Sequence, residues 1–404
     1  MKVRILHQFF HPDLSATSRV ISQVAFFLAE RGDEVSVLCS RNRYHGAQRD
    51  ALPARERIRG VLVRRCWGPS VSRRTLAGRA MNIVSFCAIA GVRALCSRRA
   101  DTVVLMTDPP FFPVLGALLK RIRKERFVYV LMDLYPEVAI RAGTLREGSR
   151  LTRALRRVST FALRWADAVV VLGEEMGESA IRAGADPDRV VVIRNWADPG
   201  KIYPVPHGEN RFRRELGLEG KFVIEYSGNL GITHGFEDLL AVAEELAGEE
   251  RIRFLFIGDG ARRREVEAFA ISKRLPNVVL VPYQDDESLS ESLSAGDVHF
   301  VSLRKGFEGL VVPSKAYGIM AAGRPILYQG ERRCEIARMV EREGIGFVVP
   351  PGDRRGLRER ILFFSREDVG RVRMGEAARR ALEERYSPAE GLARYREVIA
   401  PPAS

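Results

Sequence analysis

Residues 306–326, GFEGLVVPSKAYGIMAAGRPI, combine a glycine turn, a carboxylate and a lysine in one short stretch. An apolar run at 310–312 follows the turn, and Pro313 separates it from the polar pair Ser314–Lys315. The helix-like segment after Lys315 stops at Gly323, and the closing Gly-Arg-Pro-Ile is typical of a helix C-terminus followed by a buried strand. Such a turn can direct backbone N–H groups and a lysine towards an anion.

A second glycine-rich loop lies in 223–240, VIEYSGNLGITHGFEDLL. A predicted strand ends at Ser227, three glycines follow, and a helix opens near Gly235. This order suits a diphosphate because unshielded N–H groups and the positive end of a helix face the loop. The alternative is a plain strand-to-helix turn. About 30 residues further on, FIGDGAR contains Gly258 and Gly260, which permit close backbone approach, and Asp259, which can hold a turn.

Carboxylates follow two predicted strands of the first half, in MTDPPFF (106–112) and MDLYPEVAIRAG (132–143). Ligands of doubly wound sheets bind at the carboxyl edge, so Asp108, Asp133 and Glu137 are candidates for holding a hydroxyl-bearing ligand. Asp133 is also a candidate general base. In the alternative interpretation Asp133 caps a helix and Glu137 stabilises its first turn.

Apolar β-branched runs alternate with helical periodicity along the chain, which predicts an α/β fold with parallel sheets. The first-half strands are predicted at 3–8, 34–39, 61–65, 102–106, 127–132, 168–172 and 190–194, and the second-half strands at 222–227, 253–257, 278–281, 298–302, 325–328 and 346–349. Helical segments between them include 17–31, with Ser15 or Thr17 as its N-cap, 236–246 and 261–273. Two Gly/Pro breaks in 195–206 mark a boundary. We therefore predict two doubly wound, Rossmann-like domains, 1–206 and 207–385.

The net charge of +14 belongs entirely to the first half of the 404 residues. Residues 1–200 carry 33 Lys/Arg and 19 Asp/Glu, whereas residues 201–404 carry 32 of each. Basic residues crowd Arg73–Arg99, Lys120–Arg126 and Arg146–Arg164. They form either solvated helix surface or a face for anionic lipid or a phosphorylated ligand. No groove-reading motif favours nucleic acid.

Other features bound the class of protein. No window of about 20 uninterrupted apolar residues occurs, and the closest candidate, 80–95, contains Arg93 and is predicted to be a buried or interfacial helix. Five unpaired cysteines without metal-ligand spacing indicate a reducing cytoplasm. The histidines have no zinc-ligand spacing, so we expect no metal site.

Taken in order, these motifs resemble those of retaining GT-B glycosyltransferases of family 4, over nearly the whole chain. The segment at 306–326 resembles the family pattern E-G-F-G-L-x-x-x-E-A-M-A-x-G-x-P, and FIGDGAR resembles its I-G-D-G-P. The resemblance implies two domains facing across a cleft, with a C-terminal helix, 386–404, that packs back on the first. It assigns donor binding to the second domain and acceptor binding to the first.

The chain departs from the family where the family usually has G-R-L-x-x-x-K-G, because Asn229 and His234 replace the arginine and lysine. The donor phosphates would then need Arg304, Lys305 or Lys315. A subgroup that makes bacterial surface polysaccharides, including fucosamine and colanic acid transferases, often has G-N here and also P-S-K. The family's two glutamates fall at Leu310 and Gly318, so Glu308 is the candidate for the donor-sugar role.

The resemblance implies a set of donor-binding residues on the glycine loops and the 306–326 segment. They are Gly228, Asn229, Leu230, His234, Gly258, Gly260, Tyr283, Arg304, Gly309, Leu310, Val311, Ser314 and Lys315. Tyr283 either flanks the nucleotide base or packs. Glu308 and Asp133 are the implied catalytic residues, and Asp108, Asp133 and Glu137 the implied acceptor-binding residues.

The implied activity is transfer of a sugar, favoured to be an amino sugar, from a nucleotide diphosphate with retention. The resemblance implies a UDP-linked donor, no cofactor or metal, and a polyprenyl diphosphate-linked or saccharide acceptor. The enzyme would then lie peripherally on the anionic inner face of the plasma membrane, in the cytoplasm. The alternatives are a GT-B sugar-nucleotide 2-epimerase and a degenerate GT-B scaffold at the membrane surface.

Overall fold

The computed structural model describes residues 1–13, 15–42, 52–69 and 76–401. The chain forms two compact units. The first comprises Met1–Arg194, Gly309–Val311 and Gly391–Ser404, and the second comprises Asn195–Glu308 and Val312–Glu390. Residues 195–206, which the sequence placed at the end of the first domain, therefore cluster with the second unit. Arg73 and Arg74, at the start of a predicted basic run, lie outside the described residues.

Within the described residues, the first unit contains one eight-stranded sheet in the order β3-β4-β2-β1-β5-β6-β7-β8. Its strands are β1 (Lys2–Leu6), β2 (Glu34–Ser40), β3 (Arg55–Ile58), β4 (Val61–Cys66), β5 (Thr102–Met106), β6 (Arg126–Val130), β7 (Ala168–Val171) and β8 (Val190–Val192). Strand β3 pairs antiparallel with β4, and the other pairs are parallel.

Helices connect the parallel strands of this sheet. They are α1 (Ala16–Glu30), α2 (Leu76–Cys96), α3 (Val114–Arg123), α4 (Glu137–Arg141), α5 (Arg150–Trp165) and α6 (Glu174–Arg182). The Ser15 hydroxyl accepts from Ser18 N at 3.4 Å at the start of α1, so the predicted N-cap is confirmed. Among the described helices, none is long and apolar enough to cross a bilayer.

The second unit contains a six-stranded parallel sheet in the order β11-β10-β9-β12-β13-β14. Its strands are β9 (Phe222–Ser227), β10 (Ile252–Ile257), β11 (Val278–Val281), β12 (Val298–Ser302), β13 (Ile326–Gln329) and β14 (Gly346–Val349). Its helices are α7 (Arg211–Glu215), α8 (Glu237–Glu245), α9 (Arg263–Ser272), α10 (Leu289–Leu293), α11 (Lys315–Ala321), α12 (Glu335–Glu343), α13 (Arg354–Arg366) and α14 (Asp368–Arg385). Aromatic side chains, including Tyr226, Phe236 and Phe254, fill its core.

The last helix, α15 (Pro388–Ile399), clusters with the first unit from Gly391 onward. There the Thr102 hydroxyl donates to Ile399 O at 2.9 Å, and Arg126 donates to Val398 O at 3.1 Å. These bonds tie the chain's last helix to the ends of β5 and β6.

The prediction of two doubly wound, Rossmann-like sheets is confirmed, as are all thirteen predicted strands. In both sheets the strand order reverses beside the first strand of the unit, at β1/β5 and at β9/β12. Ligands of such sheets bind outside the carboxyl ends of the strands at these positions. The predicted site residues Asp108, Gly228 and Arg304 lie on the loops that leave three of these four strands, β5, β9 and β12.

Candidate active site

The two glycine loops of the second unit fit directly against each other. Gly228 N donates to Ile257 O at 2.9 Å, and Gly258 N donates to Val281 O at 3.0 Å. Both glycines have a positive φ, and a Cβ on Gly258 would lie 2.0 Å from Gly228 O. Glycine at 258 is therefore required for the contact between the two loops, whether or not a ligand also approaches there.

Residues around Asp259 extend this contact. The Asp259 carboxylate accepts from Gly260 N at 2.7 Å, and Asp259 O accepts from Leu230 N at 2.8 Å. The Leu230 side chain is fully buried in the core. Tyr283 is exposed, and its hydroxyl donates to Asp259 O at 3.4 Å. This bond places Tyr283 beside the glycine loops.

Lys315, the first residue of α11, extends its side chain to the same loop. Its Nζ lies 3.5 Å from the ring centroid of Tyr226, and a Cβ on Gly228 would lie 3.4 Å from that Nζ. The Nζ is buried and has no hydrogen-bond partner among the described residues. Burial lowers the pKa of Lys315 well below its usual range. An anion at Gly228 would supply the charge partner that the ammonium needs.

His234 lies in the same cluster as a neutral group. Its Nδ1 lies 2.6 Å from Ser302 O, and its ring packs edge-on against Tyr226. Burial, and then the charge of Lys315, lower the pKa of His234 to about 3. His234 therefore remains uncharged at neutral pH and does not replace the cation that the family usually has at this position.

Arg304 and Lys305 follow β12 and line a neighbouring cavity of about 220 Å³. Arg304 N donates to Thr233 O at 2.9 Å, which joins this loop to the loop after β9. Both basic side chains are exposed, but Glu237 and Asp238 line the same cavity. Arg262 pairs with Glu237 at 2.7 Å and Arg354 pairs with Asp238 at 3.0 Å, so arginines offset both acidic groups. Arg304 also donates to Ile232 O at 3.3 Å, which places its guanidinium at the edge of the loop after β9.

Glu308 and Ser314 bracket the turn before α11. The Glu308 Oε2 accepts from Gly306 N at 2.7 Å, while Oε1 is buried without a partner in the described part of the chain. Ser314 is the N-cap residue of α11, but its hydroxyl makes no capping bond. This Oε1, without a partner among the described residues, can accept a hydrogen bond from a ligand hydroxyl.

Gly309–Val311, also predicted to bind the donor, clusters with the first unit. Leu134 N donates to Leu310 O at 2.9 Å, and Val311 forms an antiparallel bridge with Asp133. A Cβ on Gly309 would lie 2.6 Å from the Ser179 hydroxyl. These backbone groups thus have partners that the sequence did not indicate.

Asp108 and Asp133 follow neighbouring strands of the first sheet, β5 and β6, and interact electrostatically. Burial, and then the charge of Asp108, raise the pKa of Asp133 to about 7. Asp133 does not cap α4, whose N-cap residue is Pro136. A carboxyl with this pKa can exchange a proton near neutral pH, as a general base must.

His7, which the sequence did not single out, lies at the same edge after β1. It is fully buried, its Nδ1 lies 2.5 Å from Phe9 O, and its Nε2 lacks a partner among the residues described. Burial lowers the pKa of His7, while the charges of Asp108 and Asp13 oppose that shift. His7 could have been identified from the sequence because it directly follows β1, the strand at which the sheet order reverses.

Glu137 has a different environment from Asp133. Arg156 donates to its two carboxylate oxygens at 3.0 and 3.1 Å. Glu137 also begins α4, where a carboxylate is favourable. The geometry favours the structural interpretation of Glu137 over contact with a ligand.

Two family models of glycosyl transferases together match most of the chain. Residues 15–196 match the model of the glycosyl transferase 4-like domain, and residues 208–381 match that of glycosyl transferases group 1. The chain is 33% identical over 305 residues to the probable glycosyltransferase WbjE of Pseudomonas aeruginosa, covering 76% of each chain. It is 25% identical over 398 residues to the putative colanic acid biosynthesis glycosyl transferase WcaI of Escherichia coli K12, covering 95% of this chain and 97% of that one.

The fold is similar to that of solved GT-B enzymes. Anabaena HepE in complex with UDP-glucose superposes with a TM-score of 0.74 at 17% identity, with 99% of each chain covered. Sucrose-phosphate synthase from Thermosynechococcus elongatus gives a TM-score of 0.77 at 18% identity, with 99% of this chain and 100% of that one covered. The predicted GT-B fold is confirmed.

Proposed function

Because the chain belongs to the family of group 1 glycosyltransferases with a glycosyl transferase 4-like N-terminal domain, we propose that it transfers a sugar from UDP to an acceptor of surface polysaccharide biosynthesis. Its similarity to a putative colanic acid biosynthesis transferase supports this pathway class. The donor is proposed to be a UDP-linked amino sugar, and the product to retain the anomeric configuration. The UDP-glucose bound to HepE supports the choice of uridine nucleotide.

The observation that carries the proposal is the position of Lys315. Its buried ammonium group has no hydrogen-bond partner among the described residues and lies beside Gly228, at the carboxyl end of β9 where doubly wound sheets bind phosphates. Bond cleavage leaves negative charge on the departing diphosphate, and a fixed cation in a dry site stabilises that charge strongly. Arg304 at the loop edge adds a second, exposed cation.

The rest of the second-unit site is proposed to hold the nucleoside and the sugar. Tyr283 is exposed beside the Gly258 loop and is suited to stacking on the uracil ring. The Oε1 of Glu308, which lacks a partner in the part of the chain that the structure describes, is suited to accepting a hydrogen bond from a sugar hydroxyl. No cofactor or metal enters this scheme, because the nucleotide sugar is itself the substrate.

The first unit is proposed to bind the acceptor at Asp108 and Asp133, with His7 beside them. The attacking hydroxyl must lose a proton as its oxygen bonds to the sugar carbon and the diphosphate leaves. Asp133 is suited to orient that hydroxyl and accept the proton, since its pKa is raised to about 7. We propose a polyprenyl diphosphate-linked acceptor, which places the enzyme on the cytoplasmic face of the membrane.

Thermal stabilisation by UDP, GDP, CMP and their sugar conjugates tests the donor assignment first. At about 100 times its dissociation constant a ligand adds about 2.7 kcal/mol to the free energy of unfolding. We expect a shift with UDP and its conjugates alone. If none of the nucleotides raised the melting temperature, the proposal would be rejected in favour of the degenerate scaffold.

A further inference from the structure

Helix α2 exposes an apolar stripe opposite the face that it buries. Phe86, Ala90 and Ala94 face the core, at a spacing of four residues. The opposite face carries a row of exposed apolar side chains, Met81, Val84, Ala88, Val92 and Leu95. Arg93 is the single charged residue of the sequence between Met81 and Leu95. A helix on a water-exposed surface normally has a polar outer face, so this stripe is unusual.

Helix α3 continues the apolar surface. Arg123 of α3 donates to Ala94 O at 3.0 Å and to Leu95 O at 2.7 Å, which holds the C-terminal ends of the two helices together. Leu118 and Ile122 of α3 are also exposed. We call these exposed side chains of α2 and α3 the α2–α3 surface.

Basic residues surround the joined helix ends. The exposed ones are Arg93, Arg98, Arg99, Arg121 and Lys124. Glu125, the nearby acid, is fully buried against Arg4 and Arg123, so it does not offset this charge at the surface. Asp101 is exposed and accepts from Lys2 N at 2.7 Å. The end of the apolar stripe is therefore strongly positive.

We propose that the α2–α3 surface docks on an anionic phospholipid bilayer, with α2 lying in the interfacial plane. A helix that lies in a bilayer interface buries an exposed apolar face of this kind and has basic residues beside it, as α2 does. The exposed basic residues at the joined helix ends, which we call the cationic rim, would contact the anionic lipid headgroups. They are Arg93, Arg98, Arg99, Arg121 and Lys124. The inference specifies the membrane contact of the proposed function and rests on it, but it can be tested without donor or acceptor.

Sedimentation with phosphatidylglycerol vesicles is the direct measurement. Val84 and Val92 are 66% and 62% exposed, so Val84→Asp/Val92→Asp should fold normally. We expect this variant to lose about tenfold in vesicle partitioning per valine, about 100-fold in all. The matched control is Val369→Asp/Val372→Asp on α14, where the valines are 65% and 56% exposed and the charge change is the same. The control should partition like the wild-type protein.

The rim has its own test. Arg98→Gln/Arg99→Gln should lower partitioning by about fivefold per arginine on anionic vesicles, and uncharged phosphatidylcholine vesicles should bind the wild-type protein more weakly. Equal partitioning of the stripe variant and its control would overturn the proposal. The proposal would also be overturned if the wild-type protein bound no vesicles but formed a dimer in sedimentation velocity that the stripe variant did not form. UDP should stabilise the stripe variant as much as it stabilises the wild-type protein. Failure of UDP to stabilise the wild-type protein would count against the donor site and not against the membrane surface.

Discussion

Lys315→Met tests the donor site by removing the ammonium while filling its space. Methionine approximates the lysine stem and keeps the packing on Tyr226. A buried donor without a partner costs about 1–3 kcal/mol, and this is the state of the Lys315 Nζ among the described residues. The variant also loses the contact between the ammonium and the Tyr226 ring, which lowers its free energy of unfolding by about 0.5–2 kcal/mol. We therefore expect the unliganded variant to be about 1 kcal/mol more stable than the wild-type protein.

The same substitution should change the pH dependence of stability. Because burial lowers the pKa of Lys315 in the folded state, the unfolded chain binds more protons than the folded one between that pKa and the ordinary lysine value of about 10.4. The free energy of unfolding of the wild-type protein should therefore rise with pH in this window. Urea titrations at pH 7 and pH 9 should show that Lys315→Met lacks this contribution.

Donor affinity should move in the opposite direction. A hydrogen bond to a charged group contributes about 1.5–3 kcal/mol, so UDP should bind the variant about 10- to 150-fold more weakly. Calorimetry in buffers of different ionisation enthalpy should also show that the wild-type protein takes up protons on binding UDP and the variant does not. The control is Lys273→Met, which removes an exposed lysine. If both variants bound UDP equally, the phosphate role of Lys315 would be wrong.

Three further substitutions test separate steps of the reasoning. Gly258→Ala should lower the free energy of unfolding, measured in urea, by about 3 kcal/mol, because the added Cβ would meet Gly228 O. The control is Gly248→Ala, where a Cβ meets no described atom within 4 Å and the free energy of unfolding should change by less than about 0.5 kcal/mol. Asp133→Asn should leave UDP affinity unchanged and slow transfer by at least about 100-fold. The wild-type rate should rise with pH through about 7 as Asp133 loses its proton, and an Asn variant that kept this limb would contradict the assignment. His234→Lys should lower stability alone, but in the Lys315→Met background it should restore UDP affinity at least about tenfold.

Most of the fold was predictable because buried parallel strands appear in the sequence as apolar β-branched runs. Strand β3 was missed because Arg55–Ile58 is a charged edge strand with no buried face. Its two-residue turn, Arg59–Gly60, has positive φ at both positions, which is typical of a tight hairpin. An Arg–Gly pair signals that turn less strongly than Asn–Gly does.

The site was predictable where one loop supplies the chemistry and less so where distant segments meet. The glycine loops followed from their residue types. The pairing of Leu134 with Leu310 and the contact of Lys315 with Tyr226 join segments far apart in the chain, and no local pattern encodes either. The burial that shifts the pKa of Asp133 likewise comes from the packing around it.

The replacements at Asn229 and His234 are best explained as a relocation of charge. Lys315 Nζ and the His234 ring both contact Tyr226, so a lysine at 234 would bring a second cation into the same buried cluster. Like charges at short range in a dry site are strongly unfavourable, and His234 avoids this by staying neutral, with its pKa at about 3. The Tyr226 hydroxyl meanwhile donates to the main-chain oxygen of Asn229 at 2.6 Å, which fixes the loop at that residue. A neutral residue at 234 and a lysine at 315 are therefore one coupled choice, and we infer that the phosphate charge has moved from the loop after β9 to the start of α11.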